Sequence, residues 1–150
     1  MEWAVHPVGV VRADATEPVD RRWGDAVATI ELDDAIPNEA LTGLDQFSHV
    51  EVVFFADRAS ATPPWSRRPR DDPRWPEVGV FANRAKDRPN RILTSVVEVV
   101  AVGPRSVSVR GLDAIDGTPV LDLKPWHAWS GPRGAVRTPR WSAELGEEYF

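Results

Sequence analysis

The chain has no cysteine, one methionine and, among its 18 basic residues, only two lysines, Lys86 and Lys124. Without cysteine, disulfides, thiol nucleophiles and Cys-ligated zinc or iron–sulfur sites are excluded. Apolar runs such as Val52 to Ala56 fall far short of the roughly 20 residues a membrane helix needs. The N-terminus lacks the basic-then-apolar pattern of a secretory signal. A soluble, cytoplasmic protein with no membrane partner is therefore expected. A P-loop, a nucleophile elbow, an HExxH pair and a GxGxxG turn are also missing, so the common NTPase, hydrolase, zinc-protease and Rossmann chemistries lack their signatures. No metal site is expected.

What is present is ordinary globular material: 150 residues, 42% hydrophobic and 27% charged. That is enough chain for one domain, 1–150, with a real core. The formal net charge of −5 argues against a general nucleic-acid coat. Arg67, Arg68, Arg70 and Arg74 nevertheless cluster within eight positions, which suits either a local basic surface or a solvated loop.

Short strands dominate the pattern. Val5 to Val11 reads as a first strand bent by Pro7 and Gly9, and Ala26 to Leu32 alternates with period two. Ile36 to Leu44 predicts a one- or two-turn helix with Asn38 as N-cap and Gly43 near its end. Val50 to Ala56 is apolar at nearly every position except Glu51, which predicts burial on both faces. Residues 59 to 77 lack a usable period and predict a mobile, Pro- and Arg-rich flap. Val78 to Ala82 predicts a strand, Thr94 to Val102 and Ser106 to Arg110 a hairpin broken at Gly103-Pro104, and Val120 to Lys124 a last strand after the Asp116-Gly117 turn. Residues 126 to 140 read as irregular and Ser142 to Tyr149 as a terminal helix or tail. The fold class predicted is mainly β, a small antiparallel β-barrel with a short helix and a long Pro/Arg-rich loop.

Within this frame the run Gly79 to Asn90 stands out, because Asn83, Arg84, Lys86, Asp87, Arg88 and Asn90 crowd into one turn. Pro89 restricts both itself and Arg88, so the turn presents fixed donors suited to an anion or a base edge, or else is a rigid surface turn tied down by salt bridges. Arg21 to Asp25 is a second candidate turn, in which Trp23 either meets a ligand or covers one end of the core. His49, at the head of a strand, suits a hydrogen-bonded structural role better than a catalytic one.

Taken in order, Leu44-Asp45-Gln46-Phe47-Ser48-His49-Val50, then Gly79 to Asn90, then Asp116-Gly117-Thr118-Pro119-Val120-Leu121-Asp122-Leu123-Lys124-Pro125-Trp126 resemble the TsaA-like family. Its TrmO-type members methylate N6 of threonylcarbamoyladenosine in the tRNA anticodon loop with S-adenosylmethionine. The resemblance implies a small barrel that binds S-adenosylmethionine without metal and works as a homodimer. By motif alignment it implies cofactor-contacting positions at Trp23, Gly24 and Asp25 in the early loop, at Asp57 and Arg58, at Arg84 and Thr94, and at Ala114, Ile115, Asp116 and Gly117. Arg88, Asn90 and Lys124 fit a substrate-facing wall, with Asp122 orienting Lys124. In such a site Asp57 would hold the amino group or ribose, Arg84 the carboxylate, and the 114–117 backbone an adenine edge. No residue is singled out as the proton acceptor.

The chain also departs from the family pattern. Many members continue the central motif as Arg-Pro-Asn-Pro-Ile-Gly-Leu-Ser, whereas here it reads Arg88-Pro89-Asn90-Arg91-Ile92-Leu93-Thr94-Ser95. Glu51 replaces a frequent aromatic and Asp57 a frequent histidine, and the additional C-terminal region of the longer bacterial enzymes is not present. These departures and the acidic charge keep open two other readings, an S-adenosylmethionine-dependent small-molecule enzyme and a non-catalytic cofactor-binding protein.

Overall fold

The computed structural model describes residues 1–19, 22–147 and 149–150. Among these residues the strands are β1 (Gly9–Ala13), β2 (Val27–Leu32), β3 (His49–Phe55), β4 (Ser66–Arg67), β5 (Val78–Gly79), β6 (Ile92–Val102), β7 (Ser106–Arg110) and β8 (Pro119–Pro125), and the α-helix is α1 (Arg140–Gly146). Six strands close an antiparallel barrel in the order β1-β2-β7-β6-β3-β8, and β4 pairs with β5 in a separate two-stranded sheet. The mainly β barrel expected from sequence is thus the fold.

Alternation builds the core. On β2, Ala28, Ile30 and Leu32 face inward while Val27 and Glu31 face out, and Val107 and Val109 do the same on β7. β3 follows this rule too, contrary to the expectation of burial on both faces: Val50, Val52 and Phe54 are buried, and Glu51, Val53 and Phe55 are half-buried on the outer wall. A barrel strand has only one face turned to the core, and on the other the Phe55 ring is covered by the Arg91 guanidinium at 4.5 Å.

Other boundaries move for local reasons. The first strand begins at Gly9, not Val5, because the ladder to β2 starts at the pair Gly9–Leu32. An added Cβ at Gly9 would lie 2.5 Å from the Glu31 carbonyl oxygen, so the two strands approach as only glycine allows. The expected helix is two 3-10 turns, Asn38–Leu41 and Leu44–Gln46, interrupted by Gly43 at φ 87°. Asn38 is not its N-cap: Pro37 holds that position, and the Asn38 side-chain oxygen accepts from Arg105 at 2.6 Å. Val78 to Ala82 forms only the two-residue β5 before a 3-10 turn.

The flap is also more ordered than expected. Ser66 pairs with Gly79 and Arg67 with Val78, Pro69 and Trp75 are buried, and Asp87 accepts from the Ser60 amide at 2.9 Å. The four clustered arginines each bond to groups of this scaffold or the C-terminal segment, although Arg68 and Arg74 stay exposed. Arg67 pairs with Asp71 at 2.8 Å and Asp87 at 3.3 Å, Arg68 donates to Trp75 O at 2.5 Å, Arg70 to Leu145 O at 3.1 Å, and Arg74 pairs with Asp72 at 2.6 Å. The cluster is thus an ordered, partly solvated surface in which the arginines also fasten the loop.

Because β1, β3 and β7 end where β2, β6 and β8 begin, the connections 14–26, 56–91 and 111–118 all leave the same end of the barrel. That rim gathers most of the candidate positions.

Candidate functional site

The rim is built against an opening in the ladder. β7 pairs with β6 only from Glu98 onward, so Ile92 to Val97 extend past the end of β7 and face the 111–118 connection on that side. Across the gap Ser95 Oγ donates to Asp113 Oδ1, and the Tyr149 hydroxyl donates to Asp113 Oδ2 at 2.5 Å.

The 114–117 turn is anchored to β1. The Asp116 amide donates to Ala15 O at 2.7 Å, the Gly117 amide to Val11 O at 2.8 Å, and Asp116 Oδ1 accepts from the Ala13 amide at 3.1 Å. Gly117, at φ 83°, supplies the left-handed residue that the turn requires. Two of the backbone donors expected to face a ligand are therefore spent on the fold. Ala114 and Ile115 are buried, yet their amides make no backbone hydrogen bond among the described residues. Within the turn these are the two amides not engaged by the backbone.

The central turn folds back onto the outer face of β6. Arg84 Nη2 donates to Thr94 O at 2.7 Å and to Thr94 Oγ1 at 3.1 Å, which brings together two positions named from sequence. Thr94 stands opposite Val53 on β3, and Val53 stands opposite Asp122 on β8. One row on the outer wall therefore runs from Thr94 to Asp122. Lys124 lies two pairs further along on the same face, opposite Glu51, and its ammonium is bonded to Asp122. That bond, with the charges of Asp122 and Glu51, holds the Lys124 ammonium above the usual lysine value. The outer wall is thus reached from Arg84 through Thr94, while Lys124 sits toward the far end of the barrel.

Other positions divide between exposed and committed groups. Asp25, Asp57 and Asn90 are exposed on the rim. Arg58 crosses to the early loop, donating to Thr16 O at 2.9 Å with Glu17 at 3.7 Å. Arg88 turns back on its own loop, donating to Asn83 O at 3.1 Å and Ala85 O at 3.2 Å, so one arm of its guanidinium braces the turn. The early turn expected over Arg21 to Asp25 begins on Arg21, outside the described residues. Trp23 is buried and its indole donates to Val19 O at 2.8 Å. Its amide donates to Tyr149 O at 2.9 Å, and Gly24 lies against Phe150, whose carbonyl carbon would be 2.8 Å from an added Cβ.

Sequence reasoning missed Asp113, Ser95 and Tyr149, which link three of the rim segments. It also missed how Arg91 acts. Arg91 has φ 52°, its Nη1 donates to Asp57 O at 3.1 Å and Ala59 O at 3.4 Å, and its guanidinium lies 4.5 Å over the Phe55 ring. Leu93, the other departure, stands opposite Phe54 and packs against the core, not on the outer wall.

No group of three or more His, Asp or Glu side chains among the described residues is arranged to hold a metal. The rim's set is instead exposed carboxylates, guanidinium groups and two amides without backbone partners, which suits a zwitterionic ligand with a hydrogen-bonding ring edge.

Comparison with known proteins agrees with this reading of the fold. The family described as the tRNA-methyltransferase O N-terminal domain matches residues 13–130. A probable S-adenosyl-L-methionine-binding protein of Methanothermobacter thermautotrophicus is 34% identical over 138 residues, covering 85% of this chain and 92% of its own length. A mouse tRNA (adenine(37)-N6)-methyltransferase is 35% identical over 99 residues, 61% of this chain but 21% of its own. The crystal structure of TrmO from Pseudomonas aeruginosa superposes with a TM-score of 0.76 at 33% identity, covering 94% of this chain and 62% of that one. The chain therefore spans nearly all of the archaeal relative and less than two thirds of the other two.

Proposed function

The chain belongs to the family of the tRNA-methyltransferase O N-terminal domain, and from that premise we propose that residues 1–150 form one S-adenosylmethionine-binding domain of a methyltransferase. The observation that carries the reading is the convergence on one rim of Asp57 and Arg58, the Arg84–Thr94 pair and the Ala114 to Gly117 turn. The archaeal relative is named for S-adenosylmethionine binding, which supports the same ligand here.

The cofactor supplies the methyl group and a sulfide leaving group, so the displacement needs alignment of acceptor, methyl carbon and sulfur more than acid or base strength. The exposed Arg84 guanidinium suits the cofactor carboxylate, and the Ala114 and Ile115 amides suit acceptor atoms of a ring edge. Asp57 and Asp25 suit the ammonium or ribose hydroxyls. The outer row from Thr94 to Asp122 and Lys124, with Asn90 above it, forms the acceptor side.

For the acceptor we propose N6 of threonylcarbamoyladenosine in the tRNA anticodon loop, which the mouse relative's name supports at the level of tRNA adenine. A second reading, a small-molecule acceptor on the same scaffold, is favoured by one observation: the flap arginines are already engaged by carboxylates and carbonyls of the protein. Homodimerisation in a cytoplasmic setting is part of the proposal, and the exposed Ile92, Val96 and Val100 on the outer face of β6 are consistent with a paired surface.

Calorimetry with S-adenosylhomocysteine in the presence of chelator tests the cofactor. Binding without metal is expected, and Arg84→Ala should weaken it by about 1.5–3 kcal/mol, the range for a hydrogen bond to a charged group. No heat from the wild-type protein at millimolar ligand would end the proposal. Mass spectrometry of tRNA nucleosides from cells lacking the protein separates the two acceptors, since only the tRNA reading predicts a lost methyl mark.

A further inference from the structure

The C-terminal segment ties together pieces of the rim that no strand ladder connects. From α1, Glu144 accepts from the Trp75 indole at 3.2 Å and Leu145 O from Arg70 at 3.1 Å, which fastens the helix to the flap. Beyond it, Tyr149 O accepts from the Trp23 amide and the Tyr149 hydroxyl donates to Asp113 Oδ2, while Ser95 on β6 donates to the other carboxylate oxygen. Gly24 leaves room for this path, because a Cβ there would collide with the Phe150 backbone. One residue thus meets the early loop and, through a single carboxylate, both the head of the 114–117 turn and β6.

Asp113 directly precedes Ala114 and Ile115, the buried residues whose amides lack backbone partners, and Ser95 directly follows Thr94. Fixing the carboxylate between β6 and the tail sets where those amides point. We infer that Tyr149, acting through Asp113, is a positioning residue for cofactor binding: the C-terminal segment forms part of the wall that holds the Ala114–Ile115 amides on the adenine side of the site. This rests on the S-adenosylmethionine reading of the rim. Tyr149 need not touch the cofactor for this role, and a preorganised donor pair binds more tightly than one that must be ordered on association.

The test is calorimetric titration of S-adenosylhomocysteine into the wild-type protein, Tyr149→Phe, Asp113→Asn and the double variant, with the thermal midpoint of each ligand-free protein measured alongside. Tyr149→Phe keeps the ring and its packing on Phe150 and removes only the hydroxyl. It should raise the dissociation constant roughly tenfold, as expected for a lost charge-assisted hydrogen bond that positions the donors, while the ligand-free midpoint moves by only a few degrees. If the two residues act as one unit, the double variant should bind about as weakly as Asp113→Asn alone. A purely structural role predicts the reverse split, with a lower midpoint and unchanged affinity, and that result overturns the inference. Tighter binding by Tyr149→Phe also overturns it, because the tail would then be competing with the ligand. A wild-type protein that binds nothing removes the cofactor reading itself, an outcome distinct from wild type and variant binding equally well.

Discussion

Arg91 offers the sharpest test of how the rim is held, because one residue combines an unusual backbone conformation with three separate side-chain interactions. Its φ of 52° is left-handed, its amide donates to Arg88 O at 3.0 Å, and its guanidinium reaches Asp57 O and Ala59 O while covering Phe55. A left-handed L-residue costs about 1–2 kcal/mol. The side chain must offset this, with the half-exposed carbonyl bonds contributing about 1–1.5 kcal/mol and the ring contact about 0.5–1 kcal/mol. Arg91→Ala keeps the strain and loses the side chain, a cost of about 2 kcal/mol. Arg91→Gly loses the same contacts but recovers about 1 kcal/mol of strain, so it should be the milder change. Arg91→Pro, the residue frequent at this position in the family, cannot adopt a positive φ and removes the amide donor, and should cost about 3 kcal/mol or more. Urea unfolding with equal slopes would give the order wild type, Gly, Ala, Pro. Proline as well tolerated as alanine, or alanine more stable than glycine, would refute both the conformation and the assignment of the side chain as its compensation.

Two further outcomes follow from packing and charge. Burial pushes the Asp87 carboxyl up, but the Ser60 amide, Lys86 and Arg67 outweigh it and hold the group below its ordinary value. A carboxyl depressed on folding gives stability that is present above its unfolded pKa of about 4 and is lost as pH falls through the lower folded value. The gap between wild type and Asp87→Asn should accordingly be full near pH 6 and shrink as pH falls through the lowered folded value, and a gap of constant size in denaturation midpoints would exclude the carboxylate as its source. Gly9→Ala places a Cβ 2.5 Å from Glu31 O inside the β1–β2 ladder, where overpacking costs about 1–3 kcal/mol. A thermal midpoint unchanged from wild type would mean that β1 can slide without penalty.

The barrel was legible in the sequence because its signal is local. Ile30, Val107 and Val109 alternate with polar neighbours, and the Asp116-Gly117 turn sits where a left-handed residue is needed. β3 was misjudged for an equally local reason: Val53 and Phe55 are apolar without facing the core, and only closure of the sheet decides which face is inside. The flap defeated periodicity because its order comes from Arg67–Asp71, Arg67–Asp87 and the burial of Trp75, none of which repeats along the chain. The Arg84 and Thr94 positions came from motif order and prove to be in hydrogen-bond contact. Tyr149 and Asp113 were invisible because they meet across 36 positions, and a side-chain bond between a terminal segment and a loop leaves no pattern in either.

The arginine bias acquires a physical explanation at the rim. A barrel end made of long connections has few ladders to satisfy its carbonyls, and buried or half-buried carbonyls need donors. Arg58 serves Thr16 O, Arg68 Trp75 O, Arg70 Leu145 O, Arg84 Thr94 O, Arg88 Asn83 O and Ala85 O, and Arg91 Asp57 O and Ala59 O. A guanidinium carries five donors in a planar fork and can hold a carbonyl while keeping arms for a carboxylate or a ring, which an ammonium on a flexible stem does less well. Positive charge on this rim is therefore committed first to holding loops in place. Arg84 is the case where the two uses would meet, since its Nη2 fixes the turn on Thr94 while the rest of the guanidinium is exposed and is the part the proposal assigns to the cofactor carboxylate. Arg84→Lys should then separate them: a single ammonium can retain charge toward a carboxylate but cannot also bridge both Thr94 oxygens with the same geometry. Retention of most of the cofactor affinity with a loosened turn, seen as faster amide exchange over residues 83–90, is the expected result. Full loss of affinity with unchanged exchange would place the guanidinium's whole contribution on the ligand.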